Sequence, residues 1–168
     1  MGNTVSTGTI SMLWEVVPWF WNHRQSKTLP IVKTFFQILR TENPDVKVGV
    51  AGFCWGGRYS LLLGQKKISD TTLVEAVFAG HPSLVSIPAD VESPICPASI
   101  AVASKDSVFS LASAAKTEKL WKDEEDFKYE IVIYEGMDHG FCIRGDMKAE
   151  KEKENMNKAV DQVLPSRT

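Results

Sequence analysis

Cysteine is scarce in this chain. Cys54, Cys96 and Cys142 are the three among 168 residues. They are too few, and odd in number, for a disulfide framework, and a free reactive thiol suits a reducing, cytoplasmic compartment. An excess of positive charge is missing as well: a net charge of −2 leaves no basic footprint for nucleic acid. No apolar run is long enough to cross a bilayer, since the most apolar stretch, Met12 to Trp21, is broken by Glu15 and Pro18. A secretory signal would need a basic start and a small-residue cleavage site, and both are lacking. Met1-Gly2-Asn3-Thr4-Val5-Ser6 does fit the pattern for N-myristoylation at Gly2, where one acyl chain would anchor only weakly. The Gly-x-Gly-x-x-Gly of a dinucleotide site and the Gly-Lys-Ser/Thr of a phosphate loop are absent. The cysteines and histidines lack the paired short spacings of a zinc site, so neither a metal nor an organic cofactor is expected. Internal repeats and low-complexity linkers are not found.

What is present is ordinary globular composition, 43% hydrophobic and 24% charged, in a length that suits one domain with a real core. Residues 1–27 read as an N-terminal extension whose aromatic segment holds Trp14, Trp19, Phe20 and Trp21, suited to core or to a lid over a pocket. From residue 28 to 168 helices and strands alternate. A helix opens at Thr28-Leu29-Pro30 and ends near Arg40, with Ile31, Phe35, Ile38 and Leu39 on one face. Strands follow at Val46–Val50, Val74–Phe78, Ala98–Ala103 and Tyr129–Tyr134, with helices at Tyr59–Leu63, 110–122 and Met147–Leu164. This order predicts an α/β fold, a mostly parallel sheet with helices on both faces. Chemistry in such sheets collects at the carboxyl ends of the strands.

One stretch organises the rest. An apolar, strand-like run ending at Val50 feeds into Gly52-Phe53-Cys54-Trp55-Gly56-Gly57, and a helix follows at once. Strand, Gly-flanked turn, helix is the context of a nucleophile elbow. The turn strains its central residue, and Gly52 and Gly56 stand where a side chain would clash. Cys54 would then project above the sheet at a helix N-terminus, which favours a thiolate. The plainer reading is a buried structural cysteine in a Gly-rich turn.

A nucleophile needs a base and an orienting acid. His139 follows the last strand and is flanked by Gly140, which lets its loop turn tightly. Asp106 ends the third strand, between Cys54 and His139, and the order nucleophile, acid, histidine is that of α/β-hydrolases. Asp138 is a poor orienter because neighbouring side chains on an extended backbone diverge. His81, after the second strand, can face the site on the substrate side; nothing near His23 suggests chemistry.

These residues resemble the dienelactone hydrolase family of α/β-hydrolases, in its fungal version. Lys47 to Tyr59 carries the most specific match, and Asp138-His139-Gly140-Phe141-Cys142-Ile143-Arg144-Gly145 the second, within a likeness that covers roughly residues 28–165. The resemblance implies a three-layer α/β-hydrolase fold. It implies Cys54 as nucleophile, His139 as base, Asp106 as orienting acid and the Trp55 N–H as an oxyanion donor. It further implies Arg144 as a partner for a substrate carboxylate. The activity implied is hydrolysis of a lactone or small ester through a thioester. Family members also carry earlier strands, a second oxyanion donor and an upstream glutamate, and this chain offers no match for them. The expectation is therefore a partial domain over residues 28–168 whose nucleophile strand lies at an open sheet edge and invites self-association. Two alternatives stand beside it: an inactive relative serving as a binding or interaction protein, and an unrelated doubly wound protein.

Overall fold

A computed structural model describes residues 14, 17–19, 21–69 and 71–163; the myristoylation pattern at Gly2 and Phe20 lie outside the described residues. In chain order the elements are α1 (Gln25–Glu42), β1 (Gly49–Phe53), α2 (Trp55–Leu63), a 3-10 turn (Lys66–Ile68), β2 (Ala76–Gly80), β3 (Ala98–Ala103), α3 (Leu111–Lys122), β4 (Tyr129–Tyr134), α4 (Phe141–Arg144) and α5 (Glu150–Val163). The four strands form one sheet in the order β1-β2-β3-β4, every pair parallel.

A parallel sheet buries both faces, and the period of two along each strand sorts side chains between two layers. Val77, Ala79, Ile100 and Val102 pack with Phe36 of α1, Leu61 and Leu63 of α2, and Ala114 and Trp121 of α3. Phe78, Ala101, Ala103 and Tyr134 point the other way, onto Phe141 and Cys142 of α4 and Ala159 of α5. The result is three layers, helices–sheet–helices. Two polar ties fasten the first layer. The Trp121 indole N–H donates to the Val91 carbonyl at 2.8 Å. Half-buried Arg58 donates to Asp90 at 2.8 Å and to Gln25 Oε1 at 2.6 Å, joining α2 to the start of α1.

The structure corrects three readings of the sequence. Helix α1 begins at Gln25, with Pro30 inside it, so the expected boundary at residues 27/28 falls within a helix. The face of α1 that meets the core is Val32, Phe36 and Leu39. Ile31, Phe35 and Ile38 are instead 71%, 60% and 52% exposed. Alpha-helical spacing identified one apolar stripe, but this helix is apolar on two sides, and periodicity cannot say which side the sheet covers. Strands β1 and β2 also start two or three residues later than expected and run through Gly52 and Gly80. Glycine reads locally as a strand breaker, yet Phe53↔Gly80 and Gly80↔Ala101 are paired in the ladder, and tertiary pairing overrides propensity.

Among the described residues β1 pairs only with β2, so it is an edge strand. Gly49 and Ala51 on it are exposed. Beside them a cleft of about 450 Å³, lined by Ala76, Phe78, Ser99 and Val163 among others, leaves part of the sheet face bare. Among the described residues no helix is long and apolar enough to cross a membrane.

Candidate active site

Strand β1 delivers the chain directly into Cys54, which sits between β1 and α2 with φ 52° and ψ −120°. A non-glycine residue in that region is strained, by about 1–3 kcal/mol, and persists only where its surroundings fix it. Gly52 is one fixture: a Cβ there would lie 2.3 Å from both the Gly56 carbonyl oxygen and Ser60 Oγ. Gly56 is not the second, contrary to expectation, because a Cβ on it meets nothing within 4 Å. The second close approach belongs to Gly57, whose Cβ would stand 3.0 Å from Pro82 Cβ. The elbow is thus pressed between its own helix and the loop that follows β2.

The three residues proposed from sequence for nucleophile, base and acid come together. His139 Nε2 lies 3.3 Å from Cys54 Sγ. On the other side of the ring, Nδ1 is 2.8 Å from Asp106 Oδ2, so the Nδ1–H donates to the carboxylate. Asp106 is itself held, because its Oδ1 accepts the N–H groups of Val108 at 2.7 Å and Phe109 at 3.2 Å. With its carboxylate fixed and buried, Asp106 sets the tautomer and tilt of the imidazole. Asp138 points to solvent.

The other sequence candidates take different places. Trp55 is the first residue of α2, and its backbone N–H hydrogen-bonds Cys54. Its ring packs edge-on against Tyr59, Trp19 and His23, at 5.0, 5.3 and 5.9 Å, so His23 joins the aromatic wall beside the elbow. Arg144 is exposed and its guanidinium lies over Gly140, 2.9 Å from where a Cβ would be. A small recess next to it is lined by His139, Asp138 and Glu152. His81 is wholly buried, behind the His139 ring at 5.1 Å between centroids, and offers no surface to a substrate.

Sequence reasoning missed Ser83. Its hydroxyl stands 3.5 Å from Cys54 Sγ, brought there by a loop whose path no local pattern encodes. The only hint was its position just past a strand end, next to His81.

Electrostatics follow from these contacts. Burial alone would raise the Cys54 thiol, but hydrogen bonds from Ser83, His139 and the Trp55 N–H, with the His139 charge, bring it below its ordinary value. Burial likewise pulls His139 down, and its bonds to Cys54 and Asp106 more than reverse this. The two shifts together favour a thiolate–imidazolium pair. Burial, then the nearby His139 charge, pushes His81 down to about 4, so it is neutral. Burial drives the other two thiols up, Cys96 to about 11 and Cys142 to about 12. Among the described residues no cluster of three or more His, Cys, Asp or Glu is arranged to hold a metal.

Known proteins share the sequence and the fold of this chain. The hydrolase tropI of Talaromyces stipitatus is 30% identical over 146 residues, covering 85% of this chain and 54% of that protein. Dienlactone hydrolase 1 of Gibberella moniliformis is 26% identical over 99 residues, 59% of this chain and 36% of that one. The chain therefore spans about half or less of the length of these curated relatives. Among solved structures, the α/β hydrolase MGS-M1 from a Medee basin deep-sea metagenome library matches with a TM-score of 0.59 at 17% identity, covering 83% of this chain and 66% of that one. The propionate-bound esterase Est2 of Thermogutta terrifontis matches with a TM-score of 0.63 at 12% identity, covering 82% and 64%. At such identities these two speak for the fold, a three-layer α/β-hydrolase sheet. The model of the dienelactone hydrolase family matches residues 14–165, and with the 30% relative this establishes that the chain belongs to the dienelactone hydrolase family.

Proposed function

We propose that this chain hydrolyses a lactone or small carboxylic ester, with Cys54 as nucleophile, His139 as general base and acid, and Asp106 as the group that orients His139. The observation that carries the reading is the continuous line Cys54 Sγ–His139 Nε2, 3.3 Å, and His139 Nδ1–Asp106 Oδ2, 2.8 Å. The thiolate attacks the carbonyl carbon, and negative charge moves to the carbonyl oxygen. The Trp55 N–H receives that oxyanion, and one such donor contributes about 3 kcal/mol. Collapse breaks the carbon–oxygen bond, His139 gives its proton to the alkoxide, and a thioester remains on Cys54. Neutral His139 then takes a proton from water, whose oxygen attacks the thioester. The sulfur leaves as thiolate, and the acid is released. For a lactone the alkoxide stays attached, and the product is a hydroxy acid. Cys54, His139 and one water account for every proton and electron pair in this scheme.

Arg144 fits the role of anchor for a substrate carboxylate: it is exposed and near His139, and it has no ion-pair partner among the described residues. His81 acts from behind His139, as an uncharged wall. A reducing compartment, which keeps Cys54 a thiol, completes the reading.

A second element concerns assembly. Among the described residues strand β1 is an open edge beside a bare sheet face, and Ile31 and Phe35 of α1 are exposed. We infer that copies of this chain associate through this side. The deciding experiment is a panel of activated esters and lactones offered to the chain and to Cys54→Ser. Turnover lost in the variant supports the hydrolase. No turnover from a chain that still alkylates at Cys54 points to an inactive relative that binds.

A further inference from the structure

Among the described residues two side chains hydrogen-bond the Cys54 thiol, and the mechanism above uses one of them. The other is Ser83, whose Oγ is 3.5 Å from Sγ. Its placement is not casual. The Ser83 N–H donates to the Cys54 carbonyl at 2.9 Å, so main chain as well as side chain meets the elbow. Two flanking residues, His81 with φ 36° and Leu84 with φ 59°, adopt the left-handed conformation that non-glycine residues avoid. Pro82, between them, rests on Gly57 so closely that a methyl group there would be 3.0 Å from its Cβ. Ser83 itself is only 8% exposed. Strain of this kind persists where the surroundings over-determine a position, and here they hold one hydroxyl against one sulfur.

We propose that Ser83 is a further catalytic residue of this site, whose hydroxyl donates a hydrogen bond to the Cys54 thiolate, both before attack and when the thioester is cleaved. The proposal rests on the reading of Cys54 as the nucleophile. A serine hydroxyl has one hydrogen to give, and a thiolate is a better acceptor for it than a thiol. When Sγ bonds to the carbonyl carbon, its charge passes to the carbonyl oxygen and Ser83 loses its anionic partner. When water has added to the thioester and the carbon–sulfur bond breaks, the electron pair returns to Sγ, and the hydrogen bond re-forms. Ser83 therefore favours the leaving thiolate and complements Trp55, which serves the oxygen.

The charged and titratable groups around Cys54 are His139, with Asp106 and His81 beyond it, and Arg144 over Gly140. All of them stay in place when only Ser83 is changed. This allows a test that needs no turnover: the pH dependence of Cys54 alkylation by iodoacetamide in the full chain, read by mass spectrometry. Ser83→Thr and Ser83→Val have the same shape, and only the first keeps the hydroxyl. We expect Ser83→Val to move the midpoint to higher pH and to slow alkylation near neutrality by about 3–10-fold, the scale of an ordinary intramolecular hydrogen bond. Its plateau rate at high pH should not fall, since a thiol of higher pKa is the stronger nucleophile once ionised. Ser83→Thr should stay within about twofold of the parent. Should Ser83→Val not fold, Ser83→Ala reads the same midpoint. A midpoint unmoved in the variants lacking the hydroxyl, or a drop in plateau alone, overturns the role of Ser83 and leaves Cys54 as nucleophile. Label on Cys96 or Cys142 in place of Cys54 overturns both readings.

Discussion

Cys54 Sγ and His139 Nε2 meet at 3.3 Å although 85 positions separate them in the chain. The contact couples two titrations. Each group, in its charged form, stabilises the charged form of the other, so the thiol falls and the imidazole rises against the burial that opposes both. A structural cysteine has no use for such a partner. Cys96 and Cys142 show the contrast, buried and pushed up to about 11 and about 12.

The first prediction follows from that contrast. Near neutral pH a thiol reagent should react with Cys54 at least about 100-fold faster than with Cys96 or Cys142, because thiolate fraction and access both favour it. The alkylation midpoint should lie below the ordinary thiol value of 9.0. His139→Ala removes two influences that lower the thiol, its hydrogen bond and its charge, so the midpoint should move up. A midpoint that stays put would mean His139 does not govern the sulfur.

Asp106→Asn tests the far end of the line. Asparagine can still accept the Val108 and Phe109 N–H groups through its oxygen, so the loop should keep its shape. It offers no negative charge to the imidazolium and can hold the wrong tautomer. Ester turnover should fall by about 10³–10⁴-fold, the scale seen when a serine protease loses the equivalent charge, with little change in thermal midpoint. Turnover within tenfold of the parent would remove Asp106 from the mechanism.

The glycines show where the sequence could be read and where it could not. Strand, turn and helix around Cys54 are local, and so is the strand-end position of Asp106 and His139; all three were legible because they need only the near chain. Which glycine is indispensable depends on what packs against it. Gly52→Ala would put a methyl 2.3 Å from backbone and should cost more than about 3 kcal/mol. Gly57→Ala presses on Pro82 and should cost about 1–3 kcal/mol. Gly56→Ala meets open space and should be neutral or stabilising by about 0.5–1 kcal/mol. Urea denaturation of the three variants checks this order. The exposed face of α1 and the approach of Ser83 to Cys54 were hidden for the same reason as Gly57. Each is a relation between distant segments, with no trace in spacing.

His81 gives a pH prediction. Burial first, then the His139 charge, lower it from 6.5 to about 4. As the pH falls through 6.5 the unfolded chain takes up a proton that the folded chain refuses until about 4, so acid favours unfolding across that window. The raised pKa of His139 works the other way, and its contribution is complete below 6.5. Glu75, lowered by its Arg40 and Val48 hydrogen bonds against burial, starts to matter only below 4.5. His81→Asn tolerates the left-handed backbone and does not titrate. Between pH 7 and about pH 5 the parent should lose about 2 kcal/mol more stability than this variant. Equal losses in denaturant titrations would show that His81 is not the acid-sensitive group.

The last prediction concerns the open side of the sheet. Strand β1 has one neighbour among the described residues, and Ala51 on it is exposed beside a bare apolar cleft. An edge of this kind is a template for pairing, and a lysine on it is the usual protection. Ala51→Lys should therefore lower self-association measured by sedimentation across a concentration series. Unfolding free energy should stay within about 0.5 kcal/mol, since the position is exposed. Phe35→Lys, on the exposed face of α1, separates two geometries. If Ala51→Lys alone dissociates the copies, they join strand to strand. If Phe35→Lys alone does so, they join through helices and β1 is a bystander. A parent chain that stays monomeric throughout the series would show that the edge is tolerated as it stands, and the inference of self-association would be wrong.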